Sequence, residues 1–285
     1  MHTLINILGA VSLLLFGMEI VKQGVIGAFD HNLKRFISRF TRNKTSAFTV
    51  GVGITSILQS STATALLISS FASRNLIAGA PALAVMLGAD IGTTLVAQVL
   101  SFDLSWLSPA LILVGIITHR RGSTEAFKHI GMSLIGLGLM LLSLKLIGSS
   151  TIPLREATIL QELFHALEDE RIFALLLIIL LTWISHSSIA MILLIMSLAA
   201  SEIISPQLGL VLVLGANIGG TIPAVIATLN KGPQARRITM SNCCFKVLSC
   251  LVVLPFIDVI SNLLTTYDTT NLARQIVDFH TAFNV

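Results

Sequence analysis

The sequence predicts an all-α, polytopic membrane protein made of two inverted-topology repeats, each with a re-entrant helical hairpin and a broken helix. Three observations lead there. Of the 285 residues 54% are hydrophobic and only 11% charged, and the mean hydropathy is +0.89, whereas a soluble chain carries about a quarter charged residues. The polar residues that do occur in apolar runs are clustered and recur at a fixed offset. Finally, the basic residues sort to one side once spans are drawn.

A membrane crossing takes about 20 apolar helical residues, so the chain has room for on the order of eight segments, some of them short, and none for a separate catalytic domain. The run from Leu4 to Ile26 is uncharged until Glu19 and Lys22. It lacks the short core and small-residue cleavage pattern of a signal peptide and reads as a membrane helix. From Phe29 to Lys44, Leu33, Phe36, Ile37 and Phe40 recur at helical spacing among Lys34, Arg35, Arg39 and Arg42, predicting an amphipathic helix on the membrane surface. Residues 47–73 are apolar but carry TSILQSSTAT at their middle. Hydroxyls at mid-depth do not suit a lipid-facing helix, so a hairpin broken near Gln59 and opening to one side is expected. Spans follow at Leu76–Leu100, Leu107–Thr118 and Ile130–Ile147, then a second hairpin at 172–200, and spans at Ile204–Leu229 and Thr239–Asn262. The last stretch, Gln275–Val285, reaches about half a bilayer, so the chain is expected either to be C-terminally truncated or to end in the interface.

Charge supports this layout. If Lys22–Lys44 is cytoplasmic, that side collects thirteen Lys and Arg residues and the other side three (Arg155, Arg171 and Arg274), with Lys145 and Lys246 inside spans. Basic residues in such loops are topology signals rather than a nucleic-acid surface. The acidic connector, 151–171, then lies outside the cytoplasm, and the two hairpins open to opposite sides. Glu19, Lys145, Lys246 and Asp258, in or near spans, are expected to snorkel or pair near the interfaces. Cys243, Cys244 and Cys250 share one apolar segment without partners at metal-ligand spacing and read as buried small hydrophobes.

A shift of 127 residues pairs TSILQSSTATALLISSFA from Thr55 with TWISHSSIAMILLIMSLA from Thr182, and LGADIGTT (87–94) with LGANIGGT (214–221), without a gap. Chance similarity between apolar segments matches Leu and Ile; here Ser, Gly and Thr match. The chain therefore divides into a first repeat, 1–150, with hairpin 47–73 and broken helix 76–100, and a second, 172–285, with hairpin 172–200 and broken helix 204–229. In such a plan the transport site lies near the midplane, where broken helices meet.

The duplicated QSS-type hairpins, each followed by a GANIGTT-type segment, resemble the sodium/phosphate cotransporter family, the type II cotransporters of animals and their bacterial relatives. ARRITMSNCCFK from Ala235 and FHTAFN, 279–284, are similar to family segments as well. In family members the latter leads into further membrane sequence, which again implies truncation. The resemblance implies a multi-pass protein of a bacterial inner membrane that carries inorganic phosphate, with sodium as coupling ion, no other cofactor, and no enzymatic activity. Beyond phosphate, sodium and lipid it implies no nucleic-acid partner, and a homodimer is compatible with it.

The residues suit that chemistry. Phosphate needs donors that do not trap it, and breaks at Gln59-Ser60-Ser61 and His186-Ser187-Ser188 would offer hydroxyls and helix N-termini without Arg or Lys. The expected phosphate ligands are Ser60, Ser61, Thr62, His186, Ser187 and Ser188. Glycines that unwind the following helices would free carbonyl oxygens, which with Asp90, Thr93, Thr94, Asn217 and Thr221 are hard oxygen ligands for sodium; Gln59 at the first hairpin break joins the expected sodium set. The bland alternatives are Ser and Thr pairing across packed helices and glycines serving close packing. Asp90 stands where the family has Asn, and His186 where it has Gln. An intramembrane carboxylate is costly and points to a cation ligand or proton carrier. Sodium-coupled phosphate transport by alternating access is the expected function; export of phosphate or an arsenate-like oxyanion, and a non-transporting phosphate sensor, are the alternatives.

Overall fold

The computed structural model describes residues 2–40, 43–151, 158–267 and 271–285; the side chains of 30–40, 158–161 and 267 lie outside the description. Every regular element among these residues is helical. In chain order they are α1 (His2–Phe40), α2 (Lys44–Leu58), α3 (Ser61–Ser73), α4 (Gly79–Leu100), α5 (Ser108–Arg121), α6 (Glu125–Thr151), α7 (Thr158–Asp169), α8 (Arg171–Ser185), α9 (Ser188–Ala200), α10 (Pro206–Gly219), α11 (Ile222–Thr228), α12 (Pro233–Val253), α13 (Ile257–Tyr267) and α14 (Leu272–Asn284).

Five stretches are long and apolar enough to cross a membrane: His2–Phe29, Gly79–Leu100, Glu125–Thr151, Pro206–Thr228 and Pro233–Thr266. The last runs through a short 3-10 turn at Leu254–Phe256, where Pro255 removes a backbone donor. The helices α3, α8 and α9 are equally apolar but shorter; at 13 to 15 residues they reach about 20–22 Å, less than a hydrocarbon core. The segment expected as a span at Leu107–Thr118 is also short, a 14-residue α5. Large apolar side chains such as Leu8, Phe16, Ile172, Leu176, Leu251 and Val259 are exposed, as they are when lipid rather than water is the neighbour.

Local structure repeats with the sequence. Helices α2 and α8, and α3 and α9, have bounds offset by the same 127 residues, as do the first residues of α4 and α10. Gln59 (φ 52°) and His186 (φ 54°) both take the left-handed conformation that ends α2 and α8, and Asn75 and Glu202 match in the same way. Each hairpin restarts on a serine: the Ser60 side chain accepts from the Ala63 amide at 3.1 Å and Ser187 from Ala190 at 3.2 Å, which are N-caps.

Three expectations need correction. The first is the broken helix of the first repeat, since α4 runs unbroken through Gly88–Thr94. Its glycines serve packing. A Cβ on Gly88 would come within 2.0 Å of the Phe48 carbonyl oxygen and one on Gly92 within 2.7 Å of that of Val52, both in α2. Gly215 and Gly219 likewise admit the backbone of α8 at Leu175 and Ile179. Only the second repeat interrupts its helix, at Gly220–Thr221. There Gly220 stands in the place of Thr93, and Pro223, which cannot donate to the preceding turn, in the place of Val96. The second correction is at the start of the chain, where the backbone of α1 continues to Phe40 instead of ending before a separate surface helix. No proline falls inside it to end the helix. The amphipathic face expected at 29–44 lies largely outside the described side chains. Third, of the cysteines only Cys250 is buried; Cys244 is exposed.

The connector expected at 151–171 contains α7, while 152–157 lie outside the described residues. Helix α14 packs against α4, α9 and α10 and buries Gln275, Ile276, Val277, Phe279 and His280.

Candidate functional site

The helix breaks bring the two repeats together. One cavity is lined by Ser61 and Thr62 at the start of α3, Ser188 at the start of α9, Asp90 and Thr93 on α4, Asn217 near the end of α10 and Thr221 in the break before α11. Asn242 of α12 completes the polar part of its wall. The Thr62 hydroxyl donates to the Gly220 carbonyl at 3.1 Å, joining the hairpin of one repeat to the interrupted helix of the other. Space inside is about 20 Å³, enough for a water and too little for a phosphate.

The expected ligands thus divide. Ser61, Thr62, Asp90, Thr93, Ser188, Asn217 and Thr221 meet in this cavity. Gln59, Ser60, His186 and Ser187 line a second one instead, together with Leu15, Met18, Glu19 and Lys22 of α1. Ser60 and Ser187 use their oxygens as N-caps, and Ser187 Oγ also reaches Met18 Sδ at 3.5 Å. The exposed His186 has its Nδ1 3.0 Å from the Ile184 carbonyl. Gln59 Oε1 is buried with no hydrogen-bond partner among the described residues. Thr94 lines neither cavity; it is fully buried and donates to the Ile91 carbonyl at 2.7 Å.

Hydrogen bonding sets what each group can offer. Thr93 donates to the Asp90 carbonyl at 2.6 Å and Thr221 to the Ile218 carbonyl at 2.7 Å. With their protons directed into their own helices, both hydroxyls turn lone pairs outward and act as acceptors, the character a cation needs. Asn217 Nδ2 donates to the Val213 carbonyl at 2.9 Å and lies 3.1 Å from His280 Nδ1, which leaves Oδ1 as its remaining acceptor. Ser61 and Ser188 donate to no protein group among the described residues, and they lie in the first turns of α3 and α9, whose leading amides have no helical acceptor. They are the donors available to an anion.

Asp90 does not stand alone. Its Oδ2 lies 2.9 Å from Lys246 Nζ on α12, with the two residues only 7% and 2% exposed. Lys246 Nζ also donates to Asn284 Oδ1 on α14 and sits 5.5 Å from the centre of the Phe283 ring. Asn284 Nδ2 is 3.1 Å from His280 Nδ1, the atom that Asn217 approaches. A chain of polar groups therefore runs Asp90, Lys246, Asn284, His280, Asn217, linking the equivalent positions of the two repeats. Lys246, expected to snorkel or to pair near an interface, is buried and pairs with a residue of the cavity wall, Asp90. Of the others in that group, Glu19 pairs with Lys22 at 3.2 Å and Asp258 with Arg171 at 2.7 Å.

A family model described as Na+/Pi-cotransporter matches residues 13–149 and 154–283, covering both repeats and every wall of the cavity. The chain belongs to the Na+/Pi-cotransporter family. This is a transporter family, and the chain is a membrane protein by its helices. Relatives of this cotransporter-family chain include "Putative inorganic phosphate export protein YjbB" of Salmonella typhimurium, 39% identical over all of this chain and 52% of the relative. The protein of the same name from Escherichia coli K12 is 38% identical with the same coverage. The "Uncharacterized protein YqeW" of Bacillus subtilis is 27% identical over all of this chain and 92% of that protein. The chain thus spans about half the length of the export-named relatives. No solved structure matches it.

Sequence reasoning missed Asn242, Lys246, His280 and Asn284, none of which lies in the duplicated motifs. Two signals were available: all four lie in the family-like segments 235–246 and 279–284, and a carboxylate and an ammonium, Asp90 and Lys246, both inside apolar runs, are each too costly to bury alone.

Proposed function

We propose that this chain forms a carrier of inorganic phosphate in a bacterial inner membrane, coupled to sodium and working by alternating access. The observation that carries this reading is the single cavity shared by Ser61 and Thr62 of one repeat and Ser188, Asn217 and Thr221 of the other. In it Ser61 and Ser188 supply donors to phosphate, while Thr93, Asn217 and Thr221 supply oxygen lone pairs to sodium. The neutral donor set holds the anion without the tight grip of an Arg pair. Because the cavity is too small for phosphate as it stands, carrying the ion requires the hairpins to part, first toward one side and then toward the other.

The same reading takes the two copies as inverted and the short pairs α2–α3 and α8–α9 as re-entrant, following the thirteen-to-three distribution of basic residues. A cysteine at Asn43 or Ser123, in a chain cleared of Cys243, Cys244 and Cys250, is then labelled from the cytoplasmic side and one at Glu168 from the other. Labelling of Asn43 and Glu168 from one side would remove the inversion.

Flux of radiolabelled phosphate in proteoliposomes tests the function directly. Uptake driven by an inward sodium gradient supports the coupled carrier, and absence of flux in either direction overturns it. A second reading, net export, draws on the name of the enterobacterial relatives. It predicts efflux from phosphate-loaded vesicles that exceeds uptake under the same gradient.

A further inference from the structure

Position 90 and its repeat mate 217 differ by one charge, Asp against Asn, and the structure shows what answers it. The niche behind Asp90 presents a carboxylate oxygen 2.9 Å from Nζ, the Asn284 amide oxygen and the face of Phe283 at 5.5 Å. Carboxylate oxygen, amide oxygen and aromatic face are each groups that attract a cation, and the ion among them is covalently attached to the protein. We infer that Lys246 is a tethered cation occupying the ion site behind Asp90, so that Asp90 is neutralised without sodium and a coupling ion binds only in the cavity, among Thr93, Asn217 and Thr221. The inference rests on the proposed sodium-coupled reading.

Several observations favour it over a merely structural ion pair. Asp90 lines the transport cavity whereas Lys246 does not; the ammonium reaches the carboxylate from behind and leaves the cavity wall intact. The pair is almost fully buried, where a carboxylate must have a counter-charge, and an ammonium on a four-carbon stem supplies it without an ion entering from solution. The link through Asn284 and His280 to Asn217 ties this resident cation to the equivalent position in the other repeat. A loose surface pair would have no such continuation.

Removing the ammonium should therefore create a sodium site. Purified Lys246→Met protein is expected to bind one more radiolabelled sodium ion per chain than wild type, and its melting temperature should rise with sodium as ligand linkage requires. The double variant Asp90→Asn/Lys246→Met, which has neither charge, should return to the wild-type stoichiometry and lose the added sodium dependence. Choline in place of sodium controls for ionic strength. Equal sodium binding by wild type and Lys246→Met would overturn the inference. So would failure of both Lys246→Met and Lys246→Gln to fold in saturating sodium, because sodium could not then stand in for the ammonium. These readouts need no transport: loss of phosphate flux in the wild type would sink the proposed function and leave the sodium count to decide this point separately.

Discussion

Replacing Asp90 by Ala should destabilise the detergent-solubilised protein by about 3–5 kcal/mol, the cost of leaving a buried charge without its partner. The charge is that of Lys246, which is 2% exposed and whose other contacts, Asn284 Oδ1 and the Phe283 ring, carry no formal charge. Asp90→Asn should cost less, since the amide oxygen still accepts from the ammonium. The informative comparison is the double variant Asp90→Leu/Lys246→Met. Replacing both members of a buried pair by apolar groups of similar volume is often near neutral, so its melting temperature should lie well above that of Asp90→Ala. Equal melting temperatures for wild type and Asp90→Ala would mean that the pair contributes nothing, and that the Asp90 charge is answered elsewhere.

Ser61→Ala and Ser188→Ala should each lower phosphate flux at least tenfold, about 1.4 kcal/mol, with little change in stability. Together they should lower it about a hundredfold if the two hydroxyls act independently. The neighbouring serines provide the contrast. Ser60 and Ser187 cap α3 and α9 and line the other cavity, so Ala there should cost about 1 kcal/mol of stability each through the lost caps. Flux at equal amounts of folded protein should be less affected. A pattern in which Ser60 and Ser187 carry the flux loss while Ser61 and Ser188 are silent would move the phosphate site to the second cavity, beside Lys22.

The same serine motif held both roles, and the sequence could not separate them. A Q/H-S-S run at a break predicts a turn, a cap and exposed hydroxyls together; which serine caps depends on where the left-handed residue falls. That residue is Gln59 in one copy and His186 in the other, so the first serine caps and the second faces the cavity. GADIGTT and GANIGGT look alike, yet α4 is continuous and α10 is interrupted. The differences at the interruption, Gly220 for Thr93 and Pro223 for Val96, are single residues, and Pro223 lacks the backbone donor that Val96 keeps.

The class of protein, the duplication and most of the polar cavity wall were legible in the chain alone. Composition, repeated spacing and clustered hydroxyls are local properties that survive translation into one-dimensional text. Helix bounds offset by 127 residues and seven of the expected ligands in one cavity follow from them. What faces those ligands depends on packing. Lys246, His280 and Asn284 come from outside the duplicated motifs, and α12 and α14 bring them to Asp90 and Asn217 by packing. The physical reason is that burying a charge or an amide in an apolar bundle requires a partner, but any helix that reaches it can supply one.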